Sequence, residues 1–149
     1  MSGTDKPVVL FGGGGFVGRQ VAQELLSRGY RLRIAQRTPR LAMGMRSLGN
    51  MGATQFVSVD ITDAGQVSAA LSGAGAAVNL VGLLKGDMKA AHVIGAQTIA
   101  QAAAAAGLDA LVHPSGDDGP LMIGNLTGHP TVCAPSGFRE DGTPRSMGF

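Results

Sequence analysis

Short apolar runs alternate with helix-spaced apolar stripes along most of this chain. Pro7 to Phe11 (PVVLF) is an unbroken apolar run that stops at four glycines, as a strand buried on both faces would. Phe16, Val17, Val21 and Leu25 then recur at helical spacing, so a helix is expected over Phe16 to Ser27, with Gly29 as its stop. Leu32 to Ala35 reads as a second strand, and a helix is expected over about Pro39 to Leu48. Gln55 to Val59 reads as a third strand. Asp60 and Thr62-Asp63 then offer capping oxygens for a helix that ends near Leu71. Ala76 to Val81 reads as a fourth strand, the alanine-rich stretch Lys89 to Ala106 as a helix, and Leu108 to His113 as a fifth strand. Five strands thus alternate with four helices, which predicts an α/β fold: a Rossmann-type parallel sheet of about five strands, helices on both faces, joined by right-handed crossovers.

The pattern breaks after His113. Five of the seven prolines lie beyond it, in a Gly/Pro-rich tail without helical periodicity. That tail is expected to be irregular, or to hold a strand near Thr131 to Ala134 with REDGTPR as a turn. We therefore divide the chain into residues 1–115, the α/β unit, and 116–149, the tail.

Composition narrows the function classes. With 44% hydrophobic and 15% charged residues the chain is globular, and with 4% aromatics its core must be aliphatic. A net charge of +2 and scarce aromatic rings do not suit nucleic-acid binding. The single cysteine, Cys133, rules out an intrachain disulfide, and the histidines His92, His113 and His129 form no metal-ligand spacing. His129 and Cys133 are separated by a proline and have no orienting group, so they are not expected to act as a nucleophilic pair. The uncharged stretch Ala64 to Leu84 contains Gln66, Ser68, Ser72 and Asn79. It reads as two elements and a turn, not as a membrane span. The N-terminus carries no basic-then-apolar leader pattern, so the expected location is cytoplasmic, including the periphery of a membrane complex.

The 24 glycines need a reason, and the first turn supplies one. FGGGGFVG sets Gly12, Gly15 and Gly18 at GxxGxxG spacing between a strand and a helix. A diphosphate must approach such a backbone closely, where side chains would obstruct it, and helix N-terminal N–H groups then stabilise its charge. A turn that merely packs tightly is the competing explanation. NAD sites commonly end the second strand with an acidic residue for the ribose hydroxyls. Here the neighbourhood is Ala35, Gln36, Arg37 and Thr38. Arg37 is placed to pair with a 2′-phosphate, Arg40 could assist, and NADP(H) is the expected cofactor in preference to NAD(H). Arg28, Arg31 and Arg46 read as solvated surface charges. Asp60 and Ile61, after the third strand, are candidates for the adenine end. Leu80, Val81 and Gly82, after the fourth, are candidates for the nicotinamide half.

Residues Val8 to about His113 resemble atypical short-chain dehydrogenase/reductases of the group similar to the NDUFA-nine-type accessory subunit of respiratory complex I. The pieces that carry the likeness are VVLFGGGGFVGRQVAQELLSRGY, RLRIAQRTP, VSVDITD, AAVNLVGLL and AAAAAGLDALVH. The resemblance implies NADP(H) binding through Gly12, Gly14, Gly15, Phe16, Val17 and Arg37. It also implies a structural or assembly role as readily as a redox one. The Tyr-x-x-x-Lys pair of active members is missing: Tyr30 is the only tyrosine and has Ile34 four residues on. Ser115 falls near the group's fifth-strand serine, but a serine without that pair has no general acid to work with. No catalytic residue is assigned.

The tail segment GNLTGHPTVCAPSGFREDGTPRSMGF resembles the C-terminal region of amidase-signature hydrolases, without their serine-rich catalytic motif. Three readings follow from the sequence. One is a dinucleotide-binding module without turnover, acting as a homodimer or as an accessory to a larger complex. The others are an enzyme, including a remnant amidase, and a fusion product with no dedicated activity. A sheet that stops at a fifth strand also leaves an edge. The segment Thr131 to Ala134, or a second copy of the chain, is expected to cover it.

Overall fold

The computed structural model describes residues 5–48, 51–83, 85–108, 111–115, 133–138 and 144–148. Five parallel strands follow one another as expected: Val8–Phe11 (β1), Leu32–Gln36 (β2), Thr54–Ser58 (β3), Ala76–Asn79 (β4) and Leu111–Ser115 (β5). Cys133–Phe138 (β6) and Pro144–Gly148 (β7) complete a sheet of order β3-β2-β1-β4-β5-β7-β6. The helices are Phe16–Ser27 (α1), Ala64–Leu71 (α2) and Ala96–Ala105 (α3). The crossovers that join the parallel strands make this a Rossmann-type α/β fold.

β1 is the middle one of the five parallel strands and is buried on both faces, so its residues alternate between two cores. Val8 and Leu10 pack with Leu32, Ile34, Ala22 and Leu26 on the α1 face. Val9 and Phe11 pack with Ala35, Ala77, Val67, Leu71 and Ile99 on the α2–α3 face. Among the described residues the buried side chains of both cores are aliphatic apart from Phe11 and Met45, with Tyr30 and Phe56 packed half-buried against the α1-face core.

The helix over Phe16 to Ser27 has the predicted limits, but its buried stripe is not the predicted one. Val21 and Leu25 are only half-buried, whereas Phe16 is 88% exposed and Val17 55%. The residues turned to the sheet are Gly18, Ala22 and Leu26. The smallest side chains face inward because the helix starts directly on the glycine turn and must run close to it. Pro39–Leu48 is helical as expected but wound as a 3₁₀ helix. Three residues per turn place Ala42 and Met45 one above the other, and both are buried. The alanine-rich helix is likewise irregular at its start: Ala90–Gly95 forms a π-helical turn before α3. Gly95 lies so close to Ile61 that a methyl group on it would overlap that side chain.

α2 is held at both ends by side chains. Asp63 caps its start, accepting from the Gln66 N–H at 3.0 Å. Arg33 reaches from β2 to the carbonyls of Ala70 and Ser72 at 2.5 and 2.9 Å, setting a cation on the negative end of the helix. The uncharged stretch from Ala64 resolves into α2 and β4. Among the described residues no helix is long and apolar enough to cross a membrane.

The tail departs from expectation. β7, not the segment Thr131 to Ala134, lies against β5, antiparallel, with His113 opposite Gly148 and Ser115 opposite Ser146. Cys133 and Ala134 belong to β6, one position further out; Thr131 and Val132 lie outside the described residues. The two strands form an antiparallel pair, and it is the returning strand that takes the place beside β5. Of the expected turn REDGTPR, residues 139–143 lie outside the described residues, and Pro144 and Arg145 already belong to β7.

Candidate functional site

Every parallel strand of the first half delivers its carboxyl end to one cleft of about 430 Å³. Gly12 follows β1, Ala35 to Arg37 end and follow β2, and Val59 to Thr62 follow β3. Val81 and Leu83, after β4, and the segment Lys85, Gly86, Asp87, Ala90 and Ala91 close the opposite wall. Crevices at the carboxyl ends of parallel strands are where open α/β sheets take ligands.

The glycine turn is shaped by two separate demands. Gly12 has φ +74°, and a Cβ there would stand 3.1 Å from the Leu80 backbone, so the chain leaves β1 in a conformation and a space open to glycine alone. Gly18 is forced by contact, since its Cβ would lie 2.5–2.6 Å from the backbone of Gly13. A Cβ on Gly14 would run into the Gln36 amide, whose oxygen accepts the Gly14 N–H at 3.0 Å while its nitrogen donates to the Thr38 carbonyl at 2.7 Å. Arg19 fixes the turn from the other side, donating to the carbonyls of Gly14 (3.1 Å) and Leu41 (3.3 Å). Packing thus accounts for Gly12, Gly14 and Gly18. It does not account for the start of α1, where Gly15 is the N-cap, no side chain caps the helix and no acidic residue stands in the first turn. An uncapped N-terminus with a positive dipole end and free N–H groups is the donor set that a diphosphate fits.

The polar groups on the walls differ in how far they are committed. Asp60 accepts from the N–H and hydroxyl of Thr62 at 2.9 and 2.7 Å, and its own N–H donates to the Gln66 side chain at 2.9 Å. The Thr62 backbone N–H, then its hydroxyl, then the Arg37 charge hold the Asp60 carboxyl below its ordinary 3.8. Asp63 is lowered in the same way, first by the Gln66 N–H and then by the Gln66 side chain. A carboxylate kept ionised only accepts hydrogen bonds, which suits the amino edge of an adenine. Arg37 is exposed, and its guanidinium has no hydrogen-bond or ion-pair partner among the described residues.

Both carboxylates have folded-state pKa values below the unfolded one, so stability rises with pH where the unfolded chain binds more protons. Their contribution is complete above 3.8 and is lost as pH falls through the lowered values. Urea midpoints measured from about pH 5 down to about pH 2.5 should therefore fall less steeply for Asp63→Asn, which keeps the capping oxygen, than for the wild type. Parallel curves would remove the linkage.

The site residues named from sequence divide between the cleft and its rim. Gly12, Arg37, Asp60, Ile61 and Val81 line the cleft. Gly14, Gly15, Phe16, Val17 and Gly18 form the turn and helix start beside it, and Leu80 backs Gly12, its N–H donating to Phe11 at 2.9 Å. Gly82 follows Val81 but does not line the cleft. Sequence reasoning passed over Gln36, Thr62, Leu83, Lys85 and Asp87. Gln36 could have been found from its place at the end of β2. The segment from Lys85 carries no comparable signal, because its place depends on the course of the chain after β4. Tyr30 is held at the far end of the sheet, before β2, against the α1-face core.

Comparison with known proteins agrees with this architecture. The profile of the NAD dependent epimerase/dehydratase family matches residues 8–127, and the chain belongs to that family. No curated relative matches the chain. Among solved structures, Pen from Bacillus thuringiensis superposes with a TM-score of 0.66 at 16% identity, over 74% of this chain and 38% of that one. The Bordetella bronchiseptica enzyme WbmG, in complex with NAD, gives 0.61 at 22% identity, over 74% and 37%. UDP-glucose-4-epimerase from Stenotrophomonas maltophila, with bound NAD and formylated UDP-arabinopyranose, gives 0.65 at 21%, over 74% and 37%. At these identities the likeness is one of fold, and the chain spans well under half the length of each of these proteins.

Proposed function

We propose that the chain is an NADP(H)-binding module that holds the cofactor without turning it over. The observation that carries this reading is the end of β2, where Gln36 and Arg37 line the cleft at the place where a carboxylate would take ribose hydroxyls. The guanidinium of Arg37, which has no partner among the described residues, offers a 2′-phosphate a planar, charge-assisted pair. The uncapped start of α1, at Gly15, Phe16 and Val17, receives the diphosphate, and Asp60 with Ile61 receives the adenine. Leu80, Val81 and Gly82 border the nicotinamide side. When bound, the cofactor would supply hydride chemistry. The chain's own residues bind and orient it, and the only tyrosine stands at the wrong end of the sheet to move a proton in the cleft.

The likeness to the complex I accessory group supports a binding or assembly role, in a homodimer or a larger complex. The amidase-like tail, in this reading, supplies framework: β6 and β7 extend the sheet.

The test is a thermal-shift titration with NADPH and NADH, with Arg37→Ala beside the wild type. A ligand at a hundred times its Kd stabilises by about 2.7 kcal/mol, a rise of several degrees. NADPH is expected to exceed NADH. Arg37→Ala should weaken NADPH about ten- to a hundredfold while leaving NADH unchanged, the size of a charged hydrogen-bonded pair. A wild type that shifts with neither cofactor overturns the reading.

A further inference from the structure

From Leu25 to Val59 the chain carries six arginines and no acidic residue. Three of the six have other work or another place. Arg28 pairs with Glu24, Arg33 is tied to the Ala70 and Ser72 carbonyls, and Arg31 precedes β2 at the amino end of the sheet. Arg37 lines the cleft. The remaining two, Arg40 and Arg46, lie on the 3₁₀ helix Pro39–Leu48. Both are exposed and have no ion-pair partner among the described residues.

The winding of that helix decides what it turns outward. At three residues per turn, side chains three apart stand in rows. One row, Ala42 and Met45, is buried in the α1-face core, so the other two point away from it, about 60° to either side of a crest. One of these reads Arg40, Met43, Arg46, an apolar tip between two cations; the other reads Leu41, Gly44, Ser47. Leu41 is 73% exposed and Met43 45%. A Cβ on Gly44 would meet nothing within 4 Å, so among the described residues no other element covers the crest there. The start of α1 continues the surface: Arg19 donates to the Leu41 carbonyl at 3.3 Å, and Phe16, three residues earlier on that side of α1, is exposed as well. Apolar tips beside cations on an open crest suit the headgroup layer of a bilayer, where the tips enter the acyl boundary and the cations meet anionic lipid. A protein partner suits the crest less, because charges of both signs fix the register between proteins, and this crest offers one sign alone.

We infer that the face made by the 3₁₀ helix and the start of α1 docks on an anionic lipid bilayer. Leu41, Met43 and Phe16 enter the boundary between headgroups and acyl chains, and Arg40 and Arg46 meet the headgroup anions. The docking is reversible, since a few side chains at the interface hold far less strongly than a spanning helix. It goes beyond the NADP(H) reading and does not depend on it.

Co-sedimentation of the full chain with vesicles tests this, using phosphatidylcholine alone and phosphatidylcholine with about one-third phosphatidylserine. Partitioning onto the anionic vesicles is expected to exceed that onto the neutral ones at least about tenfold, and to fall between about 0.05 M and about 0.5 M salt. Arg40→Glu with Arg46→Glu should lower it about tenfold or more. Lys6→Glu with Lys89→Glu makes the same change in net charge away from this face, before β1 and on the segment ahead of α3, and should lower it less than about threefold. Leu41→Ser with Met43→Ser should also lose about tenfold, through the apolar tips. All six positions are exposed, so urea midpoints should stay at the wild-type value and show that each variant is folded. Three results overturn the inference: no binding to anionic vesicles, equal binding to both kinds, or a control pair as damaging as the Arg40 and Arg46 pair. Full binding by the Leu41 and Met43 pair overturns it too, since the contact would then be electrostatic alone.

Discussion

Phe11→Ala should lower the unfolding free energy by about 3–5 kcal/mol, a large part of the 5–15 kcal/mol that holds a domain of this kind together. Among the described residues Phe11 is the largest fully buried side chain, and it ends β1, the middle one of the parallel strands. The core cluster it belongs to is mostly small or short, with Ala35, Ala70, Ala77, Val67 and Ala103, and Ile61, Leu71 and Ile99 the largest of the rest. Alanines have no rotamers with which to fill a hole, so the cavity left by the ring would stay open and its full cost would be felt. The damage would also reach the site. The Phe11 carbonyl accepts the Leu80 N–H at 2.9 Å, and the next residue is Gly12, which sits against Leu80. Phe11→Leu, which keeps most of the volume, should cost less than about 1.5 kcal/mol. Urea unfolding of the three proteins, with m unchanged, measures both differences. A loss below about 1 kcal/mol for Phe11→Ala would mean that the two cores collapse far more readily than their packing indicates.

The physics that makes Phe11 decisive also made the first half of the fold legible. A strand buried on both faces leaves an unbroken apolar run, and Pro7 to Phe11 shows one. The helix over Phe16 to Ser27 has limits that the sequence shows, because a glycine turn starts it and Gly29 follows its end. What periodicity missed was orientation. Phe16 and Val17 look like core residues to a hydrophobic count, yet the face with the least bulk, Gly18 and Ala22, is the one that meets the sheet. Proximity selected small residues over apolar ones, and a count of apolar positions is blind to that choice. The apolar pattern places β5 a few residues early, at Leu108 to His113 against the observed Leu111–Ser115, because Leu108 packs on the α2–α3 core from outside the strand. The tail was least legible. Pro135, Gly137 and Pro144 read as breakers, yet all three lie in strands of a pair with a register irregularity between Pro135 and Gly137. Prolines are tolerated on edge strands, at bulges and at the first residue of a strand; Pro135 lies on the edge strand β6 beside the irregularity, and Pro144 opens β7. In the site, strand ends were readable because glycines, Arg37 and Asp60 carry chemical signals. The far wall from Leu83 to Ala91 was not, since only the folded path of the chain brings it across.

The glycine at position 18 gives the sharpest contrast between local propensity and tertiary contact. In an ordinary helix interior, replacing glycine by alanine stabilises by about 1 kcal/mol, because alanine loses less backbone freedom. Gly18→Ala should do the opposite. The added methyl would stand 2.5 Å from the Gly13 carbonyl oxygen and 2.6 Å from its carbonyl carbon and Cα. All three are backbone atoms of the turn itself, and no side chain can swing aside to relieve them. Gly13 cannot retreat either, since Leu10 and Ile34 lie behind it. The helix must then move off the sheet, taking Ala22 and Leu26 out of their packing. Overpacking of this kind costs about 1–3 kcal/mol, and loss of the helix's burial adds to it. We expect a net loss of at least about 2 kcal/mol in urea unfolding. NADPH stabilisation should shrink with it, because the displaced helix start is where the diphosphate would sit. Gly44→Ala is the control: nothing lies within 4 Å of a Cβ there and its backbone is not left-handed, so the variant should be neutral or slightly more stable. If Gly18→Ala matches Gly44→Ala, helix and turn are not in contact, and the tight strand-turn-helix junction on which the site is built does not exist.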